Sequence, residues 1–214
     1  MPWSGISIPC QTAALAHPSA PRDREEDPVD VHVNDQADGR LDKSGDQWQV
    51  RFTRRLAHAR EKVWRALAEP EHRDAWFPQR IEADRGWVAG APLRFVSDDM
   101  PEANFDGEVL VYDPPRTLEM RWGEDLLRFE LAADGDGTIL TLISTLAERG
   151  TAARTAAGWH TCLDTLAYAL AGQDPPWTGE ERWRTVHPSY VSQFGPEASA
   201  IGPPAGHPVL DTNT

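Results

Sequence analysis

The stretch from Thr151 to Gly172, TAARTAAGWHTCLDTLAYALAG, carries the longest helical period in the chain. Trp159, Leu163, Leu166 and Leu170 recur at i, i+4, i+7 and i+11, which puts four large apolar groups on one stripe of a helix. The first half is different: Ala152, Ala153, Ala156, Ala157 and Gly158 are all small. A helix with a bulky stripe at one end and a small-residue surface at the other can seal a sheet and leave room beside it.

The rest of the chain supplies that sheet. Trp48, Val50 and Phe52 alternate with polar residues after the turn signal Ser44-Gly45-Asp46, so a half-buried strand pairs there through a hairpin with the residues before it. From Ala59 the period changes to helical, with Val63, Trp64 and Leu67 on one side. Pro70 ends this helix and starts a second one, to about Phe77, where Pro78 stops it. Arg80 to Arg85 and Leu93 to Val96 read as short strands. Phe105, Gly107, Val109 and Val111 then alternate with polar or outward residues, as do Leu118, Met120 and Trp122, then Leu127, Phe129 and Leu131. The turns between them are Asp113-Pro114-Pro115-Arg116, Gly123-Glu124-Asp125 and Asp134-Gly135-Asp136-Gly137. Ile139 to Leu146 is the last strand, apolar on both faces. Tight turns make neighbouring strands antiparallel. A long antiparallel sheet must bury one face, and the final helix is the only long amphipathic element available for it. The expected fold class is α+β: a helix-grip fold, with a curved antiparallel sheet of about six to seven strands wrapped around a long C-terminal helix and two short helices after the first long strand.

Residues 1–38 are rich in Pro, Ala, Asp and Glu without a steady period and read as a disordered leader; the folded domain runs from 39 to 172. Residues 173–195 form a C-terminal helical extension. Glu180 to Val186 suits a helix, Pro188 resets it, and Trp183, Tyr190 and Phe194 share one face. That face is expected to pack back onto the domain; as an alternative it binds a protein partner. Residues 196–214, dominated by Gly, Pro, Ala and Thr, read as a disordered tail.

These elements carry a resemblance. His58-Ala59-Arg60-Glu61-Lys62-Val63-Trp64-Arg65-Ala66-Leu67, with Glu69-Pro70-Glu71 and Trp76-Phe77, resembles the opening of the SRPBCC superfamily. The branch it is most similar to holds homologues of the activator of the heat-shock-protein-90 ATPase. Asp113-Pro114-Pro115-Arg116-Thr117-Leu118 with Trp122 resembles that branch's central hairpin, and Gly158-Trp159 with Cys162-Leu163 and Leu166 its final helix. The likeness covers roughly residues 40–172. It implies a START-like fold with a hollow between sheet and last helix. Members bind lipids, sterols, polyketides and other apolar molecules, and a minority catalyse reactions on them. The eukaryotic activator engages the chaperone through a separate N-terminal domain, and the leader here is too short to be one.

Chemistry-bearing patterns are sparse. The seven His (His17, His32, His58, His72, His160, His187 and His207) show no helical ligand spacing and no Cys pair, so no metal site or cofactor is expected. Asp134-Gly135-Asp136-Gly137 lacks the distal Glu of a calcium loop and reads as a hairpin turn. No Gly-rich phosphate loop joins a strand to a helix. His160 and Cys162 point about 200° apart on a helix and cannot act together. Cys162 reads as a buried packing residue. His160 lies off the apolar stripe and is expected to face solvent, or alternatively the mouth of the hollow as an acid or base. Glu108, Glu119 and Glu130 read as a solvated outer face, with Asp106 a milder inward candidate. The candidate pocket is therefore aromatic and apolar: Trp64, Trp76, Phe77, Phe95, Phe105, Trp122, Phe129, Trp159 and Leu163, with His160 at its edge.

Charge narrows the partners. A formal net charge of -13 argues against a nucleic-acid backbone and against an anionic membrane surface. No run of about 18 apolar residues is present, so no membrane insertion is expected. Ala14-Leu15-Ala16 looks slightly like a signal cleavage site, but a basic start is lacking and Pro9 and Gln11 interrupt the apolar stretch. With two distant cysteines, Cys10 and Cys162, a reducing cytoplasm is the expected compartment. Three functions fit: a module binding a small apolar ligand, an enzyme of cyclase, dehydratase or hydrolase type on such a ligand, or a co-chaperone acting through Trp183, Tyr190 and Phe194.

Overall fold

The computed structural model describes residues 31, 33–97 and 100–203. Eight strands form one antiparallel sheet: β1 (Arg40–Ser44), β2 (Gln47–Leu56), β3 (Arg80–Glu82), β4 (Pro92–Val96), β5 (Phe105–Asp113), β6 (Thr117–Trp122), β7 (Asp125–Asp134) and β8 (Gly137–Leu146). Their spatial order is β1-β2-β8-β7-β6-β5-β4-β3, so the sheet is open, curved and one to two strands wider than the sequence suggests. The edge strand β1 pairs with β2 from Arg40↔Arg51 to Ser44↔Gln47, the hairpin that the turn signal Ser44-Gly45-Asp46 predicts.

Alternation decides which face is buried. Val50, Phe52 and Leu56 of β2, Leu93 and Phe95 of β4, Leu118, Met120 and Trp122 of β6, and Leu127, Phe129 and Leu131 of β7 all point into the core. The opposite face is charged. Arg128 donates across to Glu119 on β6 (2.6 Å) and along its own strand to Glu130 (2.7 Å), and Arg121 lies 3.9 Å from Glu108 on the neighbouring strand. The three strand glutamates therefore sit on the solvated side, as their spacing predicts. Asp106 joins them there, beside Arg94. One register departs from simple alternation. A bulge between Val109 and Val111 moves Tyr112 opposite the buried Leu118, so Tyr112 turns to the core side and meets Trp64.

The helices are α1 (Arg60–Ala68), α2 (Pro70–Arg73), α3 (Ala152–Ala171) and α4 (Gly179–Phe194). α3 ends at Gly172, whose φ of 68° is open to glycine at little cost. α2 is shorter than its sequence period. α4 is longer, because the helix continues through Pro188. Pro188 is exposed, and Trp183, Val186 and Tyr190 hold both halves of the helix against the domain. A capping box, with Thr178 and Glu181 exchanging side-chain and backbone bonds, fixes the start of α4.

Both ends of the chain extend the fold further than composition implies. Of the leader drawn at 1–38, Asn34, Asp35 and Asp38 are bonded to α3, α4 and β2, as detailed below; residues 1–30 and 32 lie outside the described residues. At the other end a 3-10 turn, Pro196–Ser199, buries Ala198 completely. Ile201 N donates to Gly150 O (3.0 Å) and Arg154 donates to Gly202 O. Only the part of the expected tail from residue 204 lies outside the description.

Gly107 marks a close approach in β5. A Cβ there would lie 2.4 Å from Arg121 O and 2.5 Å from the Phe95 ring. Gly107→Ala should therefore cost roughly 1–3 kcal/mol by forcing backbone and ring apart, measured as a lower urea midpoint at unchanged slope.

Candidate functional site

Seven of the sequence-predicted pocket residues come together between the sheet and α3. Phe95, Phe105 and Trp122 form a triangle with ring centroids 4.6–5.0 Å apart. Trp122 continues to Phe77 (5.3 Å) and Trp159 (5.6 Å), and Phe77 to Trp76 (5.4 Å). Phe129 closes the run against Trp76 and Trp159. Most pairs meet edge to face, the arrangement ring quadrupoles favour. All seven are buried except Phe105, which is half-buried at one end. Leu163 is buried with them. Trp64 is not in this run; it meets Tyr112 at a tilt (5.5 Å), and Trp87, under the Arg73 guanidinium, stacks on Tyr112.

Two polar side chains adjoin the Phe105 end. Ser97 follows Leu93 and Phe95 on the inward parity of β4, and Gln79 falls opposite it when the β3–β4 register is extended by one pair. Both are under 5% exposed. Gln79 Nε2 donates to Ala103 O (3.2 Å), and Ser97 N donates to Asn104 Oδ1 (2.7 Å), so the 100–104 segment closes over them. Gln79 Oε1 and Ser97 Oγ have no hydrogen-bond partner among the described residues. A buried orphan of this kind costs about 1–3 kcal/mol and is uncommon. The signal was present in the sequence as a polar residue on an apolar parity.

His160 faces neither solvent nor the aromatic run. It is fully buried on the opposite side of α3, because α4 and residues 34–39 cover the face it occupies. Its Nε2 lies 2.9 Å from Asn34 O and 3.2 Å from Asp164 Oδ2, both acceptors, so this nitrogen carries a hydrogen. Its Nδ1 lies 2.7 Å from the Tyr190 hydroxyl, which also accepts from Gly39 N. Asp164, fully buried, receives Arg54 Nη1 (2.9 Å) and Arg182 Nε (2.7 Å). Arg182 reaches on to Asp35 and to Asn34 O (2.7 Å), and Arg54 to Asp38 (2.7 Å). Burial pushes the Asp164 carboxyl up, but the His160 bond and the two guanidinium charges outweigh it and hold the group below its ordinary range. Burial pushes the Tyr190 hydroxyl up. Each residue here is paired with another, although Arg54 Nε, an ion-pair distance from Asp38, makes no hydrogen bond; the arrangement is a structural clamp.

Trp183, Val186 and Tyr190 are buried against α3, and Trp183 Nε1 donates to Arg154 O (3.3 Å). The face offered as a partner surface is thus closed by the protein's own helix, with Phe194 half-buried beside Tyr190.

A separate cleft of about 360 Å³ lies between the α1–α2 pair and the end of α3. On its rim Glu71 and His72, with Glu69, bring three donor atoms within 4.8 Å of one another at an exposed position. Among the described residues no helix is long and apolar enough to cross a membrane.

The profile of the family described as Activator of Hsp90 ATPase homolog 1-like protein matches residues 57–171. No curated protein matches. Among solved structures, a conserved protein of unknown function from Enterococcus faecalis has a TM-score of 0.58 at 18% identity, covering 73% of this chain and 90% of its own. A Bordetella parapertussis protein has 0.55 at 26%, covering 74% and 93%. DynU16, described as a protein in the dynemicin biosynthetic locus, has 0.52 at 26%, covering 59% and 48%.

Two outcomes follow. Arg182→Met leaves Asp164 and Asp35 short of a cation and should lower stability by about 3 kcal/mol in denaturant titration, with much of the loss recovered when Asp164→Asn is added. Asp125, buried where β7 starts and accepting from Ala147 N, has its pKa raised by burial from 3.8 to about 6. A raised carboxyl favours the protonated fold, so its share of stability is present near pH 4 and lost as pH rises through 6. The stability difference between Asp125→Asn and the parent should grow by on the order of 1–3 kcal/mol from pH 4 to 6.5 and stay level above it.

Proposed function

Because the chain belongs to the Activator of Hsp90 ATPase homolog 1-like family, of SRPBCC type, we propose that it is a binding module for a small, largely aromatic molecule that carries a hydroxyl or N–H group. The ligand lies between the sheet and α3, against Phe77, Phe95, Phe105, Trp122 and Trp159. The observation that carries this reading is the orphan pair, Gln79 Oε1 and Ser97 Oγ, buried beside the half-buried end of the aromatic run. An acceptor and a hydroxyl without partners are suited to a ligand donor, and the rings beside them are suited to a flat apolar body. The rings touch one another, so entry requires Phe105, the half-buried member, to swing outward. The description of DynU16 as part of a biosynthetic locus is consistent with a ligand of natural-product type.

The catalytic alternative needs polar groups converging on the aromatic run. Asp106, Glu108, Glu119 and Glu130 lie on the outer face and His160 is saturated behind α3, so none of its candidates reaches there. The co-chaperone alternative loses the Trp183–Tyr190 face to α3.

The test is titration of the intrinsic Trp fluorescence with 2-naphthol and with naphthalene. The naphthol should bind about fivefold to tenfold more tightly, and Ser97→Ala should erase that preference while leaving the fold intact. Equal binding of the two probes, or binding of neither, would sink the reading and leave buried water as the partner of the orphan atoms.

A further inference from the structure

The cleft between the α1–α2 pair and the end of α3 has a composition of its own. Its floor is apolar: Ala66, Ala75, Ala169 and Leu170. One wall is cationic, formed by Lys62 and Arg65, one turn apart on α1 and both exposed. Two carboxylates also line the cleft, Glu71 on α2 and Asp174 in the linker after α3. Charged groups sharing one small cavity ordinarily neutralise each other. Here neither cation forms an ion pair with either carboxylate, or with any other among the described residues; Lys62 meets only the His58 ring, at 3.4 Å. Elsewhere in this acidic chain the arginines that flank carboxylates close on them, as Arg128, Arg54 and Arg182 do. The C-terminal end of α3 adds the negative pole of its dipole beside Gly172 and Asp174.

We infer that this cleft is a second binding site, distinct from the aromatic run, for a zwitterionic small molecule with an apolar body, of the size and charge of an aromatic amino acid. The carboxylate of the ligand faces Lys62 and Arg65. Its ammonium faces Glu71, Asp174 and the end of α3. Its side chain lies on the alanine and leucine floor. A cavity of about 360 Å³ accommodates such a molecule without rearrangement of the helices. A purely anionic ligand leaves the two carboxylates facing it, and a purely cationic one leaves Lys62 and Arg65 facing it. The zwitterion matches all four groups.

The experiment is a two-dimensional amide NMR titration of the full chain in buffer containing EDTA, using L-phenylalanine, L-phenylalaninamide and 3-phenylpropionate as probes. Shifts should centre on Gly172, Gln173 and the α1 residues, and each single-charge probe should bind about fivefold or more weakly than L-phenylalanine. Lys62→Gln with Arg65→Gln should make L-phenylalanine and its amide equivalent. Glu71→Gln with Asp174→Asn should make L-phenylalanine and 3-phenylpropionate equivalent. All four positions are exposed, so the fold is retained, and the thermal midpoint checks it. Ser97→Ala, which tests the aromatic site, should leave these shifts unchanged, so the two readings fail separately. The inference is overturned if no probe shifts the cleft amides, if 3-phenylpropionate binds as tightly as L-phenylalanine, or if binding appears only when Zn²⁺ replaces EDTA and engages Glu69, Glu71 and His72.

Discussion

The fold depends on a carboxylate in the middle of it. Asp164 has no solvent exposure and stands on a face of α3 away from the aromatic run, turned toward β2 and α4. An ionised carboxyl there would be ruinous alone. It is tolerable because Arg54 comes from β2, Arg182 from α4, and His160 lies one turn back on the same helix. Two of these three partners belong to different elements. α4 cannot leave without stranding the charge, and neither can β2. The same guanidiniums hold Asp35 and Asp38, so the segment before β1 is drawn into the same arrangement.

This explains how α3 divides its labour. One face, with Trp159, Leu163, Leu166 and Leu170, seals the aromatic side of the sheet. The other carries the polar Arg154, His160, Thr161 and Asp164, of which His160 is expected from the sequence to face solvent, yet every one is buried. The small residues at its start are fully buried against neighbours: Trp183 of α4 donates to Arg154 O, and the turn holding Ala198 packs there too. A half-helix of alanines is thus a seat for a second layer.

What could be read from the residues and what could not divides along the same line. The order of strands, the inward parity of Phe95, Trp122 and Phe129, the outer ladder of Glu108, Glu119 and Glu130, and the extent of α3 all follow from period and turn chemistry, which act over a few residues. The place of His160 does not, because it depends on what comes to lie over α3 from more than 20 residues away in each direction. A hint was available: Arg54 shares the parity of the buried Val50 and Phe52, and Asp164 follows His160 by four, so two charges lay where only partners from elsewhere make them affordable. Ser97 carried a similar hint on β4. Pro188 misled in the other direction, since a proline at an exposed position of a packed helix need not end it.

The fastening of residues 34–39 and 196–202 has a consequence for how the molecule comes apart. Residues 34–39 cross one side of α3, and residues 196–202 cross its start, where Ile201 binds Gly150 and Glu197 binds Arg149. Ends that are held only by their own local structure fray early and cheaply. Here releasing either end exposes part of the central helix and a buried charge. Residues 34–39, residues 196–202 and the core therefore belong to one cooperative unit, and a protease seeking a foothold at these segments meets a barrier closer to that of opening the whole domain than of peeling a strand from its edge.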